Sequence, residues 1–249
     1  MLSKLFFKTA RAKKINKPSD KKAYPKEWVT IHKKTYPRFE NFLLTKEILS
    51  VGDLRVALEK RFSSRDFTKA GMVSESELST LLYYSAGVNA PIGIYSESTQ
   101  DEINKTRRFY PSGGARYPLE VYVVINRVLH IDPGVYHYDI FKHSLEKLFE
   151  KDTSSYFNEK VLRYEWSKDA SVIFIISACW DRTLVKYDDF GYDMFGVEAG
   201  HVTQNLLLSC SMLDIKSCPL FGFNVAEANE LLDLDAERES VFYMTALGR

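Results

Sequence analysis

The chain has 249 residues, of which 45% are hydrophobic, and a formal net charge of +1 from 34 basic and 33 acidic side chains. This length and composition predict one sizeable core, so we expect a single α+β catalytic domain at residues 51–249 and an arm at residues 1–50. The balanced charge argues against a general nucleic-acid binder, which needs a concentrated basic face.

The sequence also argues against a membrane span and a metal site. No stretch of about 18 apolar residues is present, and residues 1–10 are too short and too rich in lysine for a signal-peptide core. Cys179, Cys210 and Cys218 form no metal-binding or paired spacing. We therefore expect reduced thiols, no metal and a cytoplasmic location.

The first 50 residues form a basic arm with weak periodicity. We predict an extended stretch over Trp28–Ile31, draped over the main body. Two interpretations of the charge stay open, which are a solvated flexible arm and a surface that attracts an acidic peptide or partner. The basic residues that crowd this segment are Lys4, Lys8, Arg11, Lys13, Lys14, Lys17, Lys21 and Lys22.

Residues 51–140 show the patterns of a folded domain. Asp53 is a candidate N-cap for a helix with apolar side chains on one face. A second helix is predicted to begin near Ser74, where Ser-Glu-Ser-Glu resembles a capping box, and to end at Gly87. The β-branched run at residues 119–126 and the alternating run at residues 134–140 predict two strands.

The second half of the chain continues this alternation of strands and helices. Residues 171–178 are apolar throughout, as expected of a central strand. Residues 195–213 repeat apolar side chains at steps of three and four, which predicts a nearly all-buried helix of the kind found at subunit interfaces. A helix near residues 225–232 and a strand over residues 241–246 close the chain.

Two motifs in the first half suit the binding of an anion. Arg61–Arg65 (RFSSR) suits a phosphate, because guanidinium groups form forked, charge-assisted bonds and serine adds donors. A surface turn is the alternative. Pro111–Pro118 (PSGGARYP) precedes a strand, and paired glycines let the backbone approach a flat or anionic ligand. The alternative is a tight turn, and no Gly-Lys-Ser/Thr of an NTPase phosphate loop follows.

Three further motifs lie in the second half. Lys186 and Tyr187 are either solvent-facing loop residues or a pair in which the cation lowers the pKa of the phenol enough for it to take a proton. Glu198–His201, followed by Gln204, lies on the long helix, where a core histidine is the alternative to a catalyst. Residues 218–223 end a strand with a glycine whose N–H can face a ligand.

In this order the motifs resemble the nitroreductase superfamily, and within it the SagB-type dehydrogenases, which include thiazoline and oxazoline oxidases of ribosomal peptide biosynthesis. The resemblance covers roughly residues 25–249. It implies an α+β, nitroreductase-like FMN-binding fold with a mixed central sheet flanked by helices, in a homodimer. The matching stretches are RFSSRDF, PSGGARYPLE, KYDDFGY with FGVEAGHVTQNLLL, SCPLFGF and ALGR.

The resemblance implies a set of FMN contacts. Arg61 and Ser63 would hold the phosphate, and Arg249 would return to it. Arg65 would lie toward the ribityl chain and the pyrimidine edge of the ring. Gly222 would present its N–H near flavin N5. Contacts from the other subunit, which would make the dimer obligatory, would come from Pro111, Ser112 and Gly113. The remaining cofactor-binding residues implied are Arg116, Gln204 and Leu220.

Lys186 and Tyr187 match a Lys-Tyr pair that resembles the proton-abstracting element of azoline oxidases. The implied activity is therefore FMN-dependent oxidation of an azoline to an azole in a peptide, with a cyclodehydratase complex as a candidate partner. Two alternatives stay open, which are an NAD(P)H-dependent reductase of nitroaromatics, quinones or dehydroamino acids and a flavin-bearing partner subunit without catalysis. Where the branch has Gly-Tyr-Arg, this chain has Asp193, which reverses a charge near the active-site entrance.

Overall fold

The computed structural model describes residues 24–50, 52–149 and 152–249. The crowded basic positions from Lys4 to Lys22 lie outside these residues. An antiparallel sheet forms the centre of the described chain, and helices pack on both of its faces. This arrangement confirms the predicted α+β class. None of the described helices has the length and apolar character needed to cross a membrane.

The sheet orders its strands as β1-β4-β3-β2-β5-β7-β6. Where the resemblance implied a mixed sheet, all pairings between the described strands are antiparallel. Parallel pairing in the described chain occurs at isolated bridges such as Ser63–Ser217. The strands are β1 (Asn41–Leu43), β2 (Leu119–Ile125), β3 (Gly134–Asp139), β4 (Ser144–Lys147), β5 (Val172–Cys179), β6 (Lys216–Leu220) and β7 (Glu239–Gly248).

Strands β2 and β5 lie side by side in the centre of the sheet and are buried almost throughout. Because alternate side chains point to opposite faces, Val121 and Phe174 enter one core while Tyr122 and Ile173 enter the other. Coverage on both faces explains why residues 171–178 are apolar throughout. The predicted strands at residues 119–126, 134–140, 171–178 and 241–246 are confirmed.

The helices follow the predicted caps. Asp53 accepts hydrogen bonds from the N–H groups of Arg55 and Val56, and Ser74 forms a capping box with Glu77. The helices of the described residues are α1 (Lys26–Val29), α2 (Leu54–Lys60), α3 (Glu75–Ala86), α4 (Gln100–Ile103), α5 (Ser154–Val161), α6 (Glu165–Lys168), α7 (Asp181–Tyr187), α8 (Gly191–Met212) and α9 (Val225–Leu231).

The extended stretch predicted over Trp28–Ile31 is wrong for its first half, because Trp28 and Val29 belong to α1. Pro25 has a φ of −52° and stands just before the helix, where the proline ring favours a helical start. The chain becomes extended only at Thr30. Ile31 then enters the core, and its N–H donates to Asn104 Oδ1 at 2.7 Å.

The prediction of a nearly all-buried α8 is also wrong for the single chain. One stripe of the helix faces the core, but the opposite stripe is exposed and includes Gly196, Val197, Gly200, His201 and Gln204. Periodicity placed the buried stripe correctly. It could not show whether a second surface covers the rest of the helix, because that depends on neighbours outside the chain.

Candidate active site

The glycine turn, Pro111–Arg116, contacts the end of α7. It contains a short 3-10 segment at Gly113–Ala115, in which Gly114 has a φ of +63° and Ala115 a φ of +54°. A Cβ atom at Gly114 would collide with the Tyr187 hydroxyl and lie 2.8 Å from Lys186 Nζ. Only glycine therefore permits this approach, and the fold brings together two motifs that the sequence places far apart.

Lys186 and Tyr187 lie at the end of a helix rather than in a solvent-facing loop. The Lys186 side chain is only 8% exposed. Its Nζ lies 5.4 Å from the ring centroid of Tyr24 and 5.6 Å from that of Tyr187. Burial raises the pKa of Tyr187, Arg116 opposes the rise, and Glu198 adds to it. The expectation that the pKa of this phenol is lowered is therefore wrong, because burial outweighs the effect of Arg116.

Glu198 of α8 is a site residue for which the sequence motif indicated no role, since only His201 was a candidate catalyst there. Its carboxyl is 2% exposed, and Oε1 accepts the N–H of Gly113 at 3.0 Å. Burial raises the pKa of Glu198 to about 7, against the opposing hydrogen bonds from Gly113 and Ser112. The signal available in the sequence was an acidic residue inside the apolar stripe of α8. His201 itself is exposed.

Arg116 does not lie on the open surface of the turn. Its side chain is fully buried, and Nε donates to the carbonyl of Arg182 at 2.7 Å. Neither Nη1 nor Nη2 has a hydrogen-bond partner among the described residues. The outer side of the turn instead borders a cleft of about 770 Å³, whose lining includes Ser112 and the basic residues Lys105, Arg107 and Arg108.

The predicted phosphate residues follow α2. Arg61 is the C-cap of the helix and Ser63 pairs with Ser217 of β6. Arg61 lines a cavity of about 350 Å³ together with Lys60 and Lys216, which we call the basic cavity. The guanidinium of Arg249 pairs with Glu77 and donates to the carbonyl of Met72.

An aromatic pair joins Arg65 to the end of β6. The guanidinium carbon of Arg65 lies 5.6 Å from the ring centroid of Trp166, and Trp166 stacks on Tyr164 at 5.5 Å. A Cβ atom at Gly222 would collide with the Tyr164 ring. The backbone at Gly222 thus lies against an aromatic surface, and none of the sequence motifs indicated Tyr164 or Trp166. Leu220 is buried at the end of β6, and Gln204 is exposed on α8.

The sequence model of the nitroreductase family matches residues 58–249. The chain belongs to the nitroreductase family. It is 29% identical over 181 residues to MJ1384 of Methanocaldococcus jannaschii, a protein provisionally named a nitroreductase, and the match covers 73% of this chain and 84% of that protein.

Two further relatives of this nitroreductase-family chain are named as processing proteins for trifolitoxin and microcin B17. It is 28% identical over 168 residues to the trifolitoxin-processing protein TfxB of Rhizobium leguminosarum bv. trifolii, covering 66% of this chain and 44% of TfxB. It is 28% identical over 140 residues to the microcin B17-processing protein McbC of Escherichia coli, covering 52% of this chain and 49% of McbC. The chain spans less than half of either relative, and both support its resemblance to the SagB-type branch.

Solved structures confirm the nitroreductase-like fold. A protein from Anabaena variabilis, provisionally described as a nitroreductase, superposes with a TM-score of 0.71 at 21% identity, covering 88% of this chain and 43% of that one. A chain of the E. coli McbBCD microcin synthetase complex superposes with a TM-score of 0.61 at 19% identity, covering all of this chain and 92% of that one.

Within one nitroreductase-family chain, the glycine turn and the basic cavity border different parts of α8. The glycine turn meets α8 at Met194 and Glu198, whereas the basic cavity borders the same helix at Leu207 and Ser211. The stretch of helix from Glu198 to Ser211 rises about 20 Å. The phosphate residues and the turn therefore lie far apart along α8.

Proposed function

We propose that this protein is an FMN-dependent oxidoreductase that oxidises azoline rings of a peptide to azoles. The observation that carries the proposal is the packing of Lys186 and Tyr187 against the glycine turn, beside the buried carboxyl of Glu198. A buried set of titratable groups at one turn is what proton abstraction from carbon needs. Similarity to the microcin- and trifolitoxin-processing proteins supports a peptide substrate.

The donors present fit a flavin mononucleotide. The basic cavity brings the cationic side chains of Lys60, Arg61 and Lys216 to one place, which suits a single phosphate group. Arg65 and Gly222 lie at the two ends of the Trp166–Tyr164 pair. When bound, FMN supplies the acceptor for the hydride of the substrate.

The chain itself has to bind the ring and take the proton. Azoline oxidation removes a hydride and a proton from carbon, and Lys186 or Tyr187 receives that proton. Gly114 lets the backbone lie directly against both side chains, so their positions are held by packing. The burial of Lys186 and Glu198 keeps water away from the reacting atoms.

We infer a homodimer in which each flavin lies between two chains. The exposed stripe of α8 contains Gly196, Val197 and Gly200, which is a surface on which a second helix can pack closely. Gln204 lies about midway along α8 between the contacts of the turn and the basic cavity. A two-fold axis near Gln204 would place the turn of one protomer beside the basic cavity of its partner. This arrangement would unite the two groups that one chain keeps apart.

An NAD(P)H-dependent reductase is the second candidate, favoured by the similarity to MJ1384. It would use the same flavin contacts and would not require a base. A cytoplasmic biosynthetic complex that includes a cyclodehydratase is the proposed setting of the azoline oxidase. The fold likeness to a chain of the McbBCD complex is compatible with that setting. If the protein turns over no substrate, its role in such a complex would be that of a flavin-bearing subunit without catalytic activity.

The cofactor is tested first. Purified protein should be yellow and release FMN rather than FAD on denaturation, because the basic cavity suits one phosphate group and the sequence has no dinucleotide fingerprint. A colourless preparation that takes up no added FMN would contradict the proposal.

The reaction is tested with the flavin-loaded protein and a thiazoline-containing peptide in air. The expected result is the loss of two hydrogen atoms per ring, read by mass spectrometry. Bleaching of the flavin by NAD(P)H without any azole product would instead support the reductase. Bound flavin without turnover of any substrate would support the partner subunit.

A further inference from the structure

The guanidinium of Arg116 is a buried positive charge that the proposed flavin and proton roles leave unexplained. It is fully buried, with Nε held by the carbonyl of Arg182. Nη1 and Nη2 have no hydrogen-bond partner within residues 24–50, 52–149 and 152–249. Buried polar groups without partners are rare, and a buried charge without a counter-charge is strongly unfavourable.

A neighbouring arginine shows how the fold treats a structural buried cation. Arg182 Nη2 pairs with Glu120 Oε1 at 2.6 Å, and Nη1 donates to the carbonyl of Tyr117 at 3.2 Å. Arg116 has neither kind of contact at its two Nη atoms. Arg182 moreover lies close enough to repel Arg116 and lower its pKa further. The two buried arginines therefore differ in whether their charge is compensated in the resting protein.

The group that can compensate Arg116 is the hydroxyl of Tyr187. Both belong to the contact between the glycine turn and α7, because the Tyr187 hydroxyl lies against Gly114 and Arg116 Nε bonds to the backbone of α7. Tyr187 favours the charged form of Arg116, and Arg116 favours ionised Tyr187. Other groups that face Tyr187 include Glu198 of α8, Tyr24 before α1 and Lys186 on its own helix.

We propose that Arg116 is a positioning residue that supplies the positive charge facing the Tyr187 hydroxyl when that hydroxyl has lost its proton. This inference rests on the proposed role of Tyr187 as the base. It assigns Arg116 to proton transfer, whereas the family resemblance implied a contact with the cofactor. With FMN bound, the substrate would lose a hydride from one ring carbon to the flavin and a proton from the neighbouring ring carbon to the ionised Tyr187 oxygen, and Arg116 would stabilise the ionised form that accepts this proton. Loss of that proton to solvent would regenerate the ionised oxygen for the next turnover.

The test measures the ionisation of residue 187 directly, without flavin or substrate. A difluorotyrosine is introduced at position 187, because its phenol ionises at lower pH than tyrosine, and fluorine NMR follows its single resonance against pH. Arg116→Met should raise the midpoint by about one pH unit or more, which is about a tenfold change in the ionisation constant. Arg116→Lys should restore much of the shift, since it keeps a cation at the turn.

Two controls separate this effect from general charge or damage to the fold. Arg55→Met removes the same charge from an exposed position on α2 and should leave the midpoint unchanged. An unchanged midpoint in a folded Arg116→Met protein would overturn the inference. Should that variant not fold, the Nε nitrogen resonance of Arg116 is followed in the fluorinated protein instead. It should titrate at the midpoint of residue 187, and a resonance that does not respond there would also overturn the inference.

The result is independent of the proposed reaction. A shift in the midpoint together with an absence of azole formation would support the role of Arg116 and contradict the proposed substrate. Azole formation with no dependence of the midpoint on Arg116 would support the function and contradict this inference.

Discussion

Gly113 donates its backbone N–H to Oε1 of Glu198 at 3.0 Å, and this bond ties the glycine turn to α8. The carboxyl is buried, so its charge state affects both the turn and the stability of the fold. A Cβ atom at Gly113 would collide with Met194 on the same helix. The turn therefore packs against α8 because Gly113 leaves room for Met194, and it is hydrogen-bonded there to a titratable acid, Glu198.

Glu198→Gln should change how stability depends on pH. Burial raises the pKa of Glu198 from 4.5 to about 7, so between these values the folded protein binds more protons than the unfolded chain. The free energy of unfolding therefore falls as pH rises through this window, by up to roughly 3 kcal/mol. Denaturant unfolding should show a smaller fall in Glu198→Gln, while the exposed control Glu159→Gln should follow the parent. Identical pH profiles for all three proteins would rule out the raised pKa.

Gly114→Ala should destabilise the protein and abolish turnover. The new Cβ would collide with the Tyr187 hydroxyl and would also impose a positive φ on alanine. Gly93→Ala is the matched control, because Gly93 has a φ of +82° but its Cβ would come no closer than 3.6 Å to the flexible end of Lys46. The control should cost only the backbone strain, about 1 kcal/mol. If thermal melts showed equal losses of stability for the two variants, the side chains around residue 114 would move aside at no cost, which would contradict the prediction.

Tyr187→Phe should keep its flavin and lose about 10²-fold or more in azoline oxidation, the usual worth of a positioned base. The substitution keeps the packing and removes only the hydroxyl, so the loss should appear in kcat. Lys186→Ala tests the other candidate base at the same place. Tyr156→Phe, at an exposed position on α5, should oxidise the substrate at the parent rate. Parent rates for both site variants would make the reductase the better assignment.

Arg61→Ala should lose bound FMN, because one forked contact to the phosphate disappears and Lys60 and Lys216 compensate only in part. We expect a loss of at least about tenfold in affinity, equivalent to about 1.4 kcal/mol. Arg55→Ala, on the same helix but paired with Glu59 at the surface, should bind FMN as the parent does. Flavin fluorescence on titration into the apoprotein measures both. Equal affinities would remove Arg61 from the phosphate site.

Val197→Glu should convert the dimer to a monomer and release the flavin. Val197 is 59% exposed in the single chain and lies in the stripe of α8 that a second copy would cover. In a monomer the change should cost no more than about 0.5 kcal/mol of stability, so light scattering and flavin content are the informative measurements. Val225→Glu, at another exposed valine on α9, should remain dimeric. A parent protein that is monomeric and still holds FMN would contradict the shared site.

The sequence by itself determined the features that depend on local patterns. Residues 119–126 and 171–178 are strands because runs of apolar, largely β-branched residues favour a pleat buried on both faces. Asp53 and Ser74 begin helices because their side chains satisfy the free N–H groups of the first turn. The order of the motifs was enough to indicate the family. The short helices α1 and α7 were missed because a few residues carry too little periodicity to be recognised.

Only the tertiary structure decided which side chains meet. The contact between Gly114 and Tyr187 joins residues far apart in the chain, and it fixes a positive φ and a close approach that no local pattern reveals. The raised pKa of Glu198 and the uncompensated charge of Arg116 follow from burial and from distant neighbours. Periodicity marks the face of a helix that turns inward. The charge state of a buried group depends on desolvation and on the charges around it, and these exist only once the chain has folded.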